Sequence, residues 1–137
     1  MKRQIVGLIT FVVAITCWVS VEAADRPADR VIAMYFHRTE RCPTCQKMGN
    51  YAEEAVKQGF KQQVKRGTVE FHFIDFQDKK NSRYTKAYKV DEPALIIARI
   101  EDNKVQKFIN LKDIWTKVPD KSEFIEYVQD NVKSQLK

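Results

Sequence analysis

The chain has 137 residues, with 24 Lys and Arg against 18 Asp and Glu, a formal net charge of +6. That length accommodates one domain of about 110 residues beyond an N-terminal segment, enough for a real core. The basic residues are spread along the chain with no aromatic-interleaved basic patch, which excludes a nucleic-acid partner and points to a solvated basic surface.

The N-terminus has the pattern of a secretory signal. Met1-Lys2-Arg3 forms a positive start, Ile5 to Val19 is uncharged and mostly apolar, and Val21-Glu22-Ala23 offers small residues for cleavage after Ala23. The apolar run is shorter than the roughly 18–20 residues of a typical membrane span. If left uncleaved it would act as an N-terminal membrane anchor. Ala14-Ile15-Thr16 before Cys17 makes a poor lipidation box, so Cys17 reads as an ordinary signal residue. Without Lys2, Arg3 and Glu22 the net charge falls from +6 to +5. Export implies an extracytoplasmic compartment such as a bacterial periplasm, where disulfides persist.

Residues 24–30 read as a short polar leader, and residues 31–137 as the folded domain. Val31 to Phe36 is apolar, with β-branched and aromatic residues, and predicts a buried strand. His37 to Arg41 is a loop. A helix should begin near Cys42 or Pro43 and run toward Phe60, with Gly59 as a possible interruption and Gly67 in the following turn. Val69 to Asp75 predicts a second strand, with Val69, Phe71 and Phe73 on one face by alternation. The polar stretch from Gln77 to Arg83 leads into a short helix ending near Tyr88. Pro93 to Ile100 is the most apolar strand. Glu101-Asp102-Asn103 then turns the chain into a fourth strand, Lys104 to Ile109, completing a hairpin. A last helix from about Lys121 to Gln135 carries Ile125, Val128, Val132 and Leu136 at near-helical spacing, with Phe124 beside them. Asp120 and Ser122 are its candidate caps.

This order is strand, helix, strand, helix, strand, strand, helix. A right-handed crossover would set the first two strands parallel. The expectation is an α/β fold with a four-stranded mixed sheet flanked by three helices.

Cys42-Pro43-Thr44-Cys45 sits between the first strand and the first helix. Strand, CxxC and helix is the layout of a dithiol redox site, and Pro suits a first helical turn because its missing N–H would have no partner there. The chain holds three cysteines, so removal of the segment with Cys17 leaves this single pair. A structural zinc site wants about four Cys or His ligands, and His37 and His72 lack the paired spacing to complete one. A structural disulfide remains an alternative, although so short a bridge constrains little of the unfolded chain. Binding of a soft ion such as Cu(I) by the two thiolates, with His37 as a further candidate ligand, is another.

The segments Cys42-Pro43-Thr44-Cys45 and Tyr88-Lys89-Val90-Asp91-Glu92-Pro93-Ala94-Leu95-Ile96-Ile97 resemble the thioredoxin-fold family over Val31 to about Leu136. The resemblance implies a thioredoxin-like fold, a cis bond before Pro93 beside the dithiol, and docking of partner peptides there. More narrowly, Tyr35-Phe36-His37-Arg38-Thr39, Arg41 to Cys45, Asn110-Leu111 to Trp115, and the residues around Phe124-Ile125 and Tyr127-Val128 are similar to a group of small exported bacterial proteins. That group carries the description "nitrophenyl compound nitroreductase subunit ArsF family", which implies a redox subunit. The sequence departs from thioredoxins at Arg41 and Pro43, where Trp and Gly are usual. It departs again at Phe36, where the family has a buried acid six residues before the first cysteine. No flavin or nicotinamide motif is present, so direct reduction of a nitroaromatic would need another subunit.

The expected function is that of an exported thiol–disulfide oxidoreductase or dithiol electron relay. Cys42 is expected at the exposed helix N-terminus, its thiolate favoured by the helix dipole, free N–H groups, Arg41, Arg38 and protonated His37, and opposed by Glu40. Cys45, one turn on and more buried, would resolve the mixed disulfide. Pro43, Thr44, Pro93, Arg41 and His37 would shape the site. No organic cofactor and no resident metal are implied. The partner would be a protein disulfide or dithiol, with a membrane thiol reductase as electron donor if the protein works as a reductant, and a monomer suffices. A redox-inert interaction module on the same fold is the remaining alternative. His72 and Trp115 read as structural, and Glu53-Glu54 as a solvated helix face.

Overall fold

The computed structural model describes residues 26–137. The N-terminal segment read as a signal, with its cleavage site, lies outside the described residues. Four strands, β1 (Arg30–His37), β2 (Val69–Asp75), β3 (Ala94–Glu101) and β4 (Lys104–Asn110), form one sheet in the order β2-β1-β3-β4. The β1–β2 pair is parallel, and the β1–β3 and β3–β4 pairs are antiparallel. The mixed four-stranded α/β arrangement expected from the sequence is therefore present.

The helices are α1 (Pro43–Gly59), α2 (Lys61–Arg66), α3 (Ser82–Tyr88), α4 (Ile114–Lys117) and α5 (Lys121–Gln135). Three flanking helices were expected; the described residues hold five. The helix begun at Pro43 breaks at Phe60, whose backbone leaves the helical region, and restarts as α2. Helix α2 buries no residue fully and ends on Gly67, whose φ of 74° suits the left-handed stop that glycine makes without steric cost. Helix α4 is one turn after β4.

The sheet has a core on each face. Val31, Ala33 and Tyr35 of β1 point to one side, with Leu95 and Ile97 of β3. They pack against Met48, Ala52 and Val56 of α1 and against Phe124, Val128 and Val132 of α5. Alternation sends Met34 and Phe36 to the other side, where they meet Ile74, Ile96, Tyr88 and Val90. Each fully enclosed large apolar side chain contributes about 1.5–3 kcal/mol, so α1 and α5 are fixed firmly over the first face.

Asp120 caps α5 by accepting the Glu123 N–H at 3.0 Å; Ser122 lies inside the helix instead. The buried stripe of α5 is Phe124, Val128, Val132 and Gln135, rather than one including Ile125 and Leu136. Ile125 is half-buried and Leu136 lies past the helix end. Glu101 faces Lys104 across the hairpin, and both central residues have positive φ, Asp102 at 50° and Asn103 at 61°. That is the two-residue turn whose twist matches the strands. Trp115, expected to pack, is 43% exposed. In the single turn of α4 the interior positions go to Ile114 and the following Val118, so the residue after Ile114 points outward. No helix among the described residues is long and apolar enough to cross a membrane.

Candidate dithiol site

The site lies where β1 ends and α1 begins. Cys42 is the N-cap of α1, in extended conformation, with Pro43 in the first helical turn. Its side chain is exposed, whereas Cys45 is buried in the core beneath α1, and the two are not joined. The Cys45 N–H donates to Cys42 Sγ at 3.2 Å. A sulfur thus takes the place usually held by a Ser or Asp oxygen at an N-cap and satisfies one of the first orphan amides.

This geometry separates the two thiols. The Cys42 thiol is pushed below the ordinary range, first by a hydrogen bond with the Cys45 side chain and second by the Cys45 N–H. The Cys45 thiol is pushed up, first by burial and then by its hydrogen bond to Cys42. The direction expected for Cys42 is found, but its leading causes are hydrogen bonds within the motif rather than the charges of Arg41, Arg38, His37 or Glu40. Helix α1 has no acidic residue in its first turn, so no carboxylate there opposes the thiolate.

The neighbouring residues hold the loop. Arg41 lies over the Phe73 ring at 5.3 Å and Arg38 over Phe76 at 5.9 Å. Such exposed cation–π contacts are worth about 0.5–1 kcal/mol. His37 donates from Nδ1 to the Arg38 carbonyl at 2.8 Å. Thr39 Oγ1 donates to Asp75 Oδ2 at 2.7 Å, and the Thr39 N–H donates to Gln77 Oε1 at 3.0 Å. Gln46 reaches back from α1 to the Arg41 carbonyl at 3.0 Å. Thr44 is exposed in the first turn.

Pro93 is buried immediately before β3. Ala94 pairs with Phe36, which puts Pro93 at the same end of the sheet as the loop leading to Cys42. The expected cis bond is not found: the described residues contain no cis peptide bond, and Glu92–Pro93 is trans. An X–Pro bond favours trans by about 0.5–1 kcal/mol unless tertiary packing reverses it.

Reading the sequence missed Tyr35. Phe36, at the position of the thioredoxin acid, points to the second face and packs on Tyr88 at 6.1 Å. Tyr35 points to the first face, beneath α1, and its hydroxyl donates to the Cys45 carbonyl at 2.8 Å. The alternation of Val31, Ala33 and Tyr35 on one side of the strand was the available signal. Asp75 and Phe73, from the end of β2, were also missed as loop supports. Among the described residues no three His, Cys, Asp or Glu side chains gather to hold a metal ion, so a soft ion would have two thiolates only.

No protein family's profile matches the chain, and no curated protein matches it in sequence. Among solved structures it is similar to a chain described as "Structure of a malarial protein". The two are 17% identical with a TM-score of 0.40, over 67% of this chain and 96% of that one. A likeness of that size carries no argument about fold or function.

Proposed function

We propose that the protein is an exported, thioredoxin-like thiol–disulfide oxidoreductase or dithiol electron relay acting on a partner protein through a Cys42–Cys45 disulfide. The observation that carries this reading is the asymmetry of the pair. One sulfur is exposed at a helix N-cap, its thiolate favoured by the Cys45 N–H at 3.2 Å, while the other is buried one turn on. The sheet order β2-β1-β3-β4, with β3 antiparallel to its neighbours, supports the thioredoxin-like class.

Cys42 as thiolate attacks a partner disulfide, forming a mixed disulfide and releasing one partner thiolate. Cys45 then gives up its proton, attacks Cys42 Sγ and releases the second partner thiolate. Two electrons pass from the dithiol to the partner, and the reverse sequence oxidises the partner. The depressed Cys42 thiol favours the reduced pair and so leans toward oxidising character.

The test is the reduction potential of the pair, read by equilibration against glutathione or dithiothreitol buffers. A value near about −270 mV defines a reductant supplied with electrons by a membrane thiol reductase, and one near about −120 mV an oxidant. A pair that forms no disulfide in any buffer ends this reading, and titration with Cu(I) then becomes the next measurement.

A further inference from the structure

Tyr35 is fully enclosed beneath the dithiol. Helix α1 passes so close above its ring that a Cβ on Gly49 would lie 2.9 Å from Tyr35 Cδ1 and Cε1 and from Phe73 Cε1. Gly49 stands four residues after Cys45 on the same buried face of the helix. The ring therefore sets the height of the first turns of α1 over the sheet. The hydroxyl, donating to the Cys45 carbonyl at 2.8 Å, sets where Cys45 stands. On its other side the Cys45 N–H donates to Cys42 Sγ at 3.2 Å. Cys45 is thus held from both sides, by a sulfur on its amide and by a phenol on its carbonyl. The Phe73 ring stands nearly perpendicular to the Tyr35 ring, at 6.2 Å and 87°, and carries Arg41 over its face, extending the hold to the residue before Cys42.

On the dithiol function proposed above, we infer that Tyr35 is a positioning residue that places Cys45 for the resolving step of disulfide exchange. In that step the Cys45 thiolate must approach Cys42 Sγ in line with the mixed disulfide bond. A displacement of about 1 Å from such an attack geometry costs up to about 100-fold in rate. Burial first, and the neighbouring sulfurs second, push the phenol well above its ordinary range, so it stays a donor wherever the thiols react.

Tyr35→Phe removes the hydroxyl and keeps the ring against Gly49 and Phe73. The reduced full chain is mixed with oxidised glutathione, quenched with acid at intervals and weighed by mass spectrometry. Attack by Cys42 consumes the glutathione disulfide, forms the Cys42–glutathione adduct and releases one glutathione. Resolution by Cys45 closes the intrachain disulfide and releases the second. The variant is expected to form the adduct at the wild-type rate and to hold it about tenfold longer. A tyrosine needed only for stability would lower the melting temperature and leave the adduct lifetime alone; that result, with wild type closing its disulfide normally, overturns the role of Tyr35. A wild-type chain that never closes the disulfide overturns the dithiol function and this role with it. If Tyr35→Phe does not fold, Gly49→Ala, which pushes α1 off the ring, is read in the same way. A wild-type lifetime there also overturns the inference.

Discussion

At its Arg30 end, β1 buries charge and pairs it, with Arg30 Nε and Glu70 Oε1 in ionic contact but without a hydrogen bond. Arg30 Nη1 donates to the Pro27 carbonyl at 2.8 Å and to Asn103 Oδ1 at 2.9 Å, while Nε lies 3.2 Å from Glu70 Oε1. Both side chains are enclosed, 13% and 14% exposed, and His72 adds a contact to Glu70 at 2.7 Å. Asp29 and Ala28 fasten the same end to the hairpin turn. At its His37 end the strand runs into an exposed loop whose polar groups are held mainly by backbone and surface contacts, and Cys42 Sγ faces solvent. One end holds its charges for the sake of the fold. The other keeps a nucleophile accessible and fixes only the atoms around it. Stability and chemistry should therefore separate along a single strand.

The sharpest way to break that comparison is at the cysteines. Cys42→Ser is expected to abolish disulfide exchange and leave the melting temperature nearly unchanged, because Ser is a favoured N-cap and can still accept the Cys45 N–H. Cys45→Ser is expected to accumulate mixed disulfides on Cys42, seen as adduct masses after incubation with oxidised glutathione. If Cys42→Ser instead unfolds the protein, the thiol is structural and the two ends do the same work.

The complementary change is Arg30→Ala. It strips Glu70 of an enclosed ionic neighbour and two carbonyl oxygens of a charged donor. Hydrogen bonds to charged groups are worth about 1.5–3 kcal/mol, and removing one partner of a buried pair costs up to about 3–5 kcal/mol. With both groups slightly exposed, a loss of about 2–3 kcal/mol in urea unfolding is expected. The iodoacetamide reactivity of Cys42 should not move. A change there would mean the two ends are coupled through β1.

A smaller, pH-resolved effect follows from the split between the thiols. Alkylation of Cys42 should reach half its maximal rate below about pH 8.5, the ordinary thiol value, and Cys45 should follow only above it. The linkage has opposite signs. Because the folded Cys42 thiol is depressed, it adds stability to the reduced protein above the unfolded thiol value, and that stability is lost as pH falls through the folded one. The raised Cys45 thiol does the reverse, removing stability as pH rises from the unfolded value toward the folded one. Competitive labelling across pH 6 to 10, read by mass spectrometry, separates the two curves.

Much of this architecture was legible in the sequence. Cys42-Pro43 marked the start of α1, because Pro suits a first helical turn, where its missing N–H would have no partner. The run from Pro93 to Ile100 followed by Glu101-Asp102-Asn103 marked the β3–β4 hairpin, and the structure starts the strand at Ala94 and puts the turn at Asp102 and Asn103, residues that tolerate positive φ. Helix α2 was not legible: Lys61-Gln62-Gln63-Val64-Lys65-Arg66 has one apolar residue and no stripe to reveal a period. Trp115 was misread because a large aromatic is buried on average, and only the frame of α4 decides which side it takes. Tyr35 could be placed on a strand, but its bond to the Cys45 carbonyl depends on how closely α1 descends at Gly49. The trans bond at Pro93 depends likewise on local packing that the resemblance did not carry.

The weakest effect should come from the support behind the loop. Asp75 is held below its ordinary carboxyl range, first by the hydrogen bond from Thr39 and then by the Gln77 N–H, with His37 adding attraction. Its folded value is lowered, so the tie between β2 and the loop is complete above about pH 3.9 and is lost as pH falls through the folded value. Asp75→Asn keeps an acceptor for Thr39 and removes the charge facing His37. Because the group lies at the solvent boundary, Cys42 alkylation at neutral pH should change by no more than about twofold, while amide exchange at residues 38–41 quickens. A larger loss of thiol reactivity would show that the loop does more than carry Cys42: it would make the charge at Asp75 part of what holds the nucleophile in place, and the exposed end of β1 would then depend on electrostatics as the Arg30 end does.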